Sequence, residues 1–288
     1  MCTDCGCSIR GMEGLVIEEV GEHSHDGGKT FHTHAEEGHS HEQAHESAND
    51  SNGSGEHQKA HEHLHHNPQL NDAKTISVIQ KILDKNDQEA NHNRTKLEDK
   101  GILGINLMSS PGSGKTTLLE YLADVAEFKF GVVEGDLETE RDAQRLRAKG
   151  IPAIQIQTGT ACHLDAFMVH KGLHEMPLDS LDVCFVENVG NLVCPASYDV
   201  GTHLNIVLVS VPEGEDKIAK YPVMFRQADL VLITKTDLLP HFKYDVEREK
   251  ADARRIKPNV DILEVNVNDI DSVKAVADWI EFKRKMRA

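Results

Sequence analysis

The 288 residues carry 48 acidic against 31 basic side chains, a formal net charge of −17 with histidine neutral. Such an acidic balance argues against nucleic acid as the main partner. The chain has no apolar run of about 18 residues, so no membrane span is expected. The N-terminus has no basic stretch leading into an apolar one, so a cytoplasmic protein with six reduced cysteines is expected.

Residues 1–73 hold −11 of that charge and 12 of the 18 histidines, with almost no aromatics. A segment of this kind cannot bury enough apolar area to offset chain entropy and is expected to be disordered. It opens "MCTDCGC", placing Cys2, Cys5 and Cys7 within seven residues. Residues 23–66 then interleave histidine with Glu, Ser and Gly. Neutral imidazoles suit Ni, Zn and Cu, and the carboxylates add weaker ligands, so metal binding is favoured over an inert linker.

Residues 74–100 read as a leading helix, with Ile76, Ile79, Ile82 and Leu83 on one face and polar residues after them. From 101 to 288 apolar runs alternate with helical stretches. "ILGINLM", "FGVVE", "AIQIQT", "LDVCFVE", "LNIVLVS", "LVLIT" and "DILEVN" read as buried strands. Helices are expected over 115–126, over the charged stretch from residue 138, and over 272–286. The pattern predicts an α/β fold with a doubly wound, mostly parallel sheet, its ligands at the carboxyl ends of the strands.

"SSPGSGKTT" follows the first strand and opens a helix. Gly114, Lys115 and Thr116 fit the phosphate-loop pattern, with Ser109 in place of its first glycine. The backbone around Gly112, Ser113, Gly114 and Thr117 would cradle phosphates, Lys115 would reach the β and γ oxygens, and the Thr116 hydroxyl would hold Mg²⁺. "TKTD" ends a later strand where GTPases commonly carry Asn-Lys-x-Asp. Asp237 can accept both guanine donors while the Lys235 stem packs over the base, so GTP is favoured over ATP. Glu187 and Asp136 sit at strand ends, suited to Mg²⁺ (through water for Glu187) or to the attacking water, and Gly190 can offer its N–H to the γ-phosphate. Lys115, Asp136 and Glu187 are the catalytic candidates.

Cys162 and His163 are adjacent, and Cys194 lies seven residues past Glu187. Two thiolates and an imidazole are one ligand short of a closed zinc site. "DLLPHF" offers Leu238, Leu239 and Phe242 as a symmetric contact if two of them are exposed.

The "CxxCGC" start, "SSPGSGKTT", "EGD", "GxxCHLDA", "ENVGNLVCPAS", "EGEDK" and "TKTD" together resemble the HypB family, nickel-handling GTPases of NiFe-hydrogenase maturation. The likeness spans residues 101–288 and the first seven. It implies a P-loop NTPase of the SIMIBI class that forms a GTP-dependent homodimer; slow intrinsic turnover is expected because no side chain in the sequence stands out as an arginine finger. It further implies nickel delivery with a HypA-type chaperone to a hydrogenase large-subunit precursor. By the same likeness Cys2, Cys5 and Cys7 are a tight Ni²⁺ site, Cys162, His163 and Cys194 a nucleotide-coupled Ni²⁺ or Zn²⁺ site, and the histidine-rich insert a nickel store. Two departures stand: Thr234 replaces Asn, and "EVNVN" occupies the usual Ser-Ala guanine loop. The competing readings are a urease accessory GTPase, a nickel or zinc storage protein with a non-catalytic nucleotide fold, and a P-loop kinase.

Overall fold

A computed structural model describes residues 73–136 and 140–287. The expectations for Cys2, Cys5, Cys7 and the histidine-rich segment lie outside the described residues. Seven strands form one sheet in the order β3-β2-β4-β1-β5-β6-β7, every neighbouring pair parallel. They are β1 (Leu103–Ser109), β2 (Phe130–Asp136), β3 (Ala153–Gln157), β4 (Val183–Glu187), β5 (Leu204–Ser210), β6 (Leu230–Thr234) and β7 (Asp261–Val265). The central strands are buried along their length because helices cover both faces, which is why they read as unbroken apolar runs.

Alternate strand residues feed opposite cores. Ile105, Val132, Phe185, Ile206 and Leu232 pack under α2 (Lys115–Val125), α3 (Arg141–Ala148) and α8 (Ile270–Arg287). On the other face, Val133, Cys184 and Val186 meet α1 (Ala73–Asp99) and α4 (Ala166–Glu175). Val207, Val209 and Ile233 meet α5 (Lys217–Lys220), α6 (Pro222–Gln227) and α7 (Val246–Ile256). Among the described residues no helix is long and apolar enough to cross a membrane.

Two details differ from the sequence reading. The apolar start of α1 makes its shallower contact: Ile76 is exposed at 43%, while Ile79, Ile82 and Leu83 are half-buried. The later, polar half docks more deeply, through Asn86, Ala90, Asn93 and Leu97, which recur at helical spacing and are all buried. The buried amides are satisfied by backbone. Asn86 accepts from Ala166 N at 2.9 Å and donates to Asp199 O at 2.8 Å, while Asn93 donates to Ala166 O and Val200 O at 2.8 and 3.2 Å. The first of these bonds serves the amide at the start of α4, which has no partner within its own helix.

The second difference concerns "DLLPHF". A 3-10 turn over Thr236–His241 folds Leu238 and Leu239 back onto the core beside β5 and β6. Phe242 is exposed while Leu238 and Leu239 are half-buried against the core, so the condition of two exposed residues is not met.

Candidate functional site

The chain leaves β1 through Ser109 and turns into α2 with Gly112 and Gly114 at φ 77° and 97°, in the left-handed region that glycine tolerates. Ser109, where a glycine is usual, accepts from Lys115 Nζ at 3.0 Å and so holds the lysine within the loop. Thr116 donates to Glu187 Oε1 at 2.7 Å. Glu213 ties the loop from outside: it accepts from Ser110 Oγ, and from Ser113 Oγ at 2.7 Å, while capping its own turn through Ser210. Thr234 also serves the loop, donating to Ser113 O at 2.8 Å, and Lys235 donates to Gly112 O at 2.7 Å. Asp237 is exposed at the start of the following turn.

Lys115, Thr116, Asp136, Glu187, Gly190 and Lys235 line one cleft of about 380 Å³. Sequence reasoning missed Glu134, which lines it too. β2 lies beside β4, and the register places Glu134 opposite Glu187. Glu134 is 2% exposed, and its carboxyl is pushed up to about 8 by burial, then by the charges of Glu187 and Asp136. Burial also raises Glu187, against the opposing pull of Lys115 and Thr116. One oxygen of each, Glu134 Oε2 and Glu187 Oε2, has no hydrogen-bond partner. Paired buried carboxylates with orphaned oxygens beside a threonine hydroxyl are a donor set that fits a hard divalent cation.

A second cluster adjoins this cleft. Cys162 Sγ lies 2.8 Å from Cys194 Sγ and 3.8 Å from His163 Nδ1. Ligand atoms of all three lie within 4.8 Å of one another. His163 stacks on Tyr198 with ring centroids 3.9 Å apart. Burial lowers its proton affinity, which keeps the imidazole neutral and able to ligate. The sixth cysteine, Cys184, is buried in β4, and its thiol is pushed up to about 12 by burial, so it stays inert.

Three contacts join the two sites. Asn188, next to Glu187, accepts from the backbone N–H of Leu164, next to His163, at 3.0 Å. The carbonyl of Asp136 accepts from Thr158 N at 3.0 Å, at the start of the loop leading to Cys162. Gly190 packs so closely on the phosphate loop that a Cβ there would lie 2.8 Å from Pro111 Cα. Three residues past Glu187, Gly190 shares its loop with Asn191, whose Oδ1 accepts from the amides of Val193 and Cys194 at 2.7 and 3.3 Å.

A parallel α/β sheet with a phosphate loop after its first strand, carboxylates on the neighbouring strand ends and a lysine loop after β6 defines a P-loop nucleotide-binding protein. Residues 103–264 match the CobW/HypB/UreG nucleotide-binding domain. The hydrogenase/urease maturation factor HypB of Helicobacter hepaticus is 52% identical over 227 residues, 77% of this chain and 93% of that protein. The structure of HypB from Helicobacter pylori in complex with nickel is 47% identical, with a TM-score of 0.69, covering 70% of this chain and 96% of that one. HypB from Archaeoglobus fulgidus is 39% identical with a TM-score of 0.64, covering 72% and 100%. The chain belongs to the HypB hydrogenase maturation factor family.

Proposed function

We propose that this chain is a GTP-hydrolysing nickel metallochaperone that delivers Ni²⁺ for assembly of the NiFe-hydrogenase active site. The observation that carries this reading is the Asn188–Leu164 hydrogen bond. It joins the residue after Glu187, on the phosphate side, to the residue after His163, on the metal side, at 3.0 Å.

In this reading the backbone of Gly112–Thr117 holds the phosphates, and Lys115 offsets charge developing between the β and γ oxygens. Thr116, Asp136 and Glu187, with Glu134 beside them, would hold Mg²⁺, which supplies neutralising charge to the phosphate oxygens. Asp136, which lines the same cleft, would also orient the attacking water. Arg145, at the rim, is engaged by Glu120 and Asp142, so among the described residues this arginine is not free to act as an arginine finger, in keeping with slow intrinsic turnover.

Cys162, His163 and Cys194 bind the cargo ion, Ni²⁺ or Zn²⁺, and a GTP-dependent second copy or water completes the shell. Residues 1–73 form a metal-binding region, with Cys2, Cys5 and Cys7 as a tight nickel site and 23–66 as a nickel store. They precede a leading helix over 74–100 and the GTPase domain over 101–288. Partners of the delivery step are a HypA-type chaperone and the hydrogenase large-subunit precursor, in the cytoplasm. Relatives at 46–52% identity are named as hydrogenase/urease maturation factors, so urease assembly is a second client.

Asp237→Asn replaces the acceptor for guanine by a donor suited to a xanthine oxygen. Steady-state hydrolysis should fall for GTP and rise for XTP. Equal hydrolysis of ATP and GTP by the native chain would refute guanine selection.

A further inference from the structure

A third group of ligating side chains lies away from the nucleotide cleft, where α1 crosses α4. On α1, Glu89 and His92 are one turn apart; on α4, His170 and His174 are one turn apart. Spacings of three and four residues put each pair on one helix face. Glu89 Oε1 is 2.9 Å from His170 Nδ1 and 3.4 Å from His92 Nδ1. One ligand atom from each of the three lies within 4.8 Å of the others. The ring of His174 is 6.3 Å from that of His170.

Around a four-coordinate ion with ligands at about 2.0–2.2 Å, neighbouring ligand atoms are about 3.3–3.6 Å apart. The Glu89–His92 separation already has that value, and the Glu89–His170 separation of 2.9 Å lengthens to reach it. The third closes by a rotamer change of His92, which is exposed and unhindered by the core.

The chemistry also favours a metal over a mere helix contact. Both ion-pair contacts of Glu89 among the described residues are to imidazoles, and no Lys or Arg neutralises it. His170 Nδ1 faces two acceptors, Glu89 Oε1 and Asn93 Oδ1, so an ion there takes the place of that proton as the ring shifts to its Nε2–H tautomer. Asn93, fixed by its amide to Ala166 O and Val200 O, sits 3.2 Å from His170 Nδ1 and sets the position of that ring.

We propose that Glu89, His92 and His170 form a surface site for a divalent transition ion of the nickel–zinc class, with His174 or water completing the shell. Two imidazoles and one carboxylate select borderline ions over Mg²⁺ or Ca²⁺. Three protein ligands leave a coordination position open, so the ion exchanges readily. Because the ligands come from two helices, a bound ion clamps α1 onto α4, the helix that follows Cys162 and His163. This proposal rests on neither the nucleotide reading nor the Cys162 site.

The test is amide hydrogen exchange of the full chain with and without Ni²⁺, followed in residues 84–97 and 166–175. At free Ni²⁺ about ten times the dissociation constant, exchange through opening of the α1–α4 contact should slow about tenfold. The slowing should persist in Cys194→Ala and vanish in a His92→Ala, His170→Gln double variant, whose glutamine keeps a donor toward Glu89. No slowing in the native chain, equal slowing in the double variant, or loss of slowing in Cys194→Ala would overturn the site. If the double variant loses α1 protection without metal, imidazole ¹⁵N shifts of the native chain on Zn²⁺ addition decide instead. Shifted His92 and His170 signals support the site, and unchanged ones overturn it.

Discussion

Gly190 is the residue at which the phosphate loop and the Cys194 loop touch. Its missing side chain leaves no room for a methyl group, since the clash at 2.8 Å is with Pro111 backbone rather than a movable side chain. Gly190→Ala should therefore push the two loops apart at a cost of about 1–3 kcal/mol. Equilibrium titration should show nucleotide affinity weaker by about tenfold, and native-like affinity would contradict the packing. Glu249 on α7 makes a separate residue-scale prediction. It is fully buried, and neither carboxylate oxygen has a hydrogen-bond partner. Its carboxyl is pushed up to about 7 by burial and then by Asp252, against a smaller opposing effect of Arg248. A raised folded-state value means that stability is full below the unfolded value and is lost as pH rises through about 7. Glu249→Gln should stabilise the chain relative to the native one at pH 8 by on the order of 1–3 kcal/mol, read as a higher melting temperature, with little gain near pH 5. Glu134, at about 8, has the same sign and persists in both proteins, so the difference between their melting curves isolates Glu249. Parallel curves across this range would contradict the assignment.

At the scale of elements, the sequence reading places all seven strands because each is a short apolar run closed by turn residues. It places the phosphate loop because one contiguous stretch encodes it. What it misses depends on long-range register. Glu134 enters the cleft because β2 pairs with β4, and Glu213 reaches the phosphate loop because β5 lies beside β1, neither of which local spacing reveals. The deep contacts of α1 were missed for a related reason: its buried amides bond backbone groups of a helix about 80 residues away, so polarity there marks burial rather than solvent. Asn93→Ala leaves two backbone acceptors unserved and should cost about 2–3 kcal/mol in denaturant unfolding. Gly201 approaches α1 so closely that a Cβ would lie 2.3 Å from Ala90 O, at φ 87°. Gly201→Ala should release α1, seen as faster amide exchange over residues 84–97. Native-like protection in that variant would show that the α1 contact is not close-packed.

For the whole molecule, the central claim is that nucleotide and metal are linked through the loops at the carboxyl edge of the sheet. Glu187 ends one strand and Asn188 follows it toward Cys194; Asp136 ends the neighbouring strand, and its carbonyl holds Thr158, which leads to Cys162. Such an arrangement lets γ-phosphate contact move a thiol without a long pathway, and linkage requires the reverse effect to be equal. The measurement is the affinity of the full chain for a non-hydrolysable GTP analogue with and without Ni²⁺, in the native protein and in Cys194→Ala. Ni²⁺ should change the native affinity by about 5–150-fold, a coupling of about 1–3 kcal/mol, and should leave Cys194→Ala unchanged. Identical native affinity with and without bound Ni²⁺ would contradict nucleotide control of the metal site.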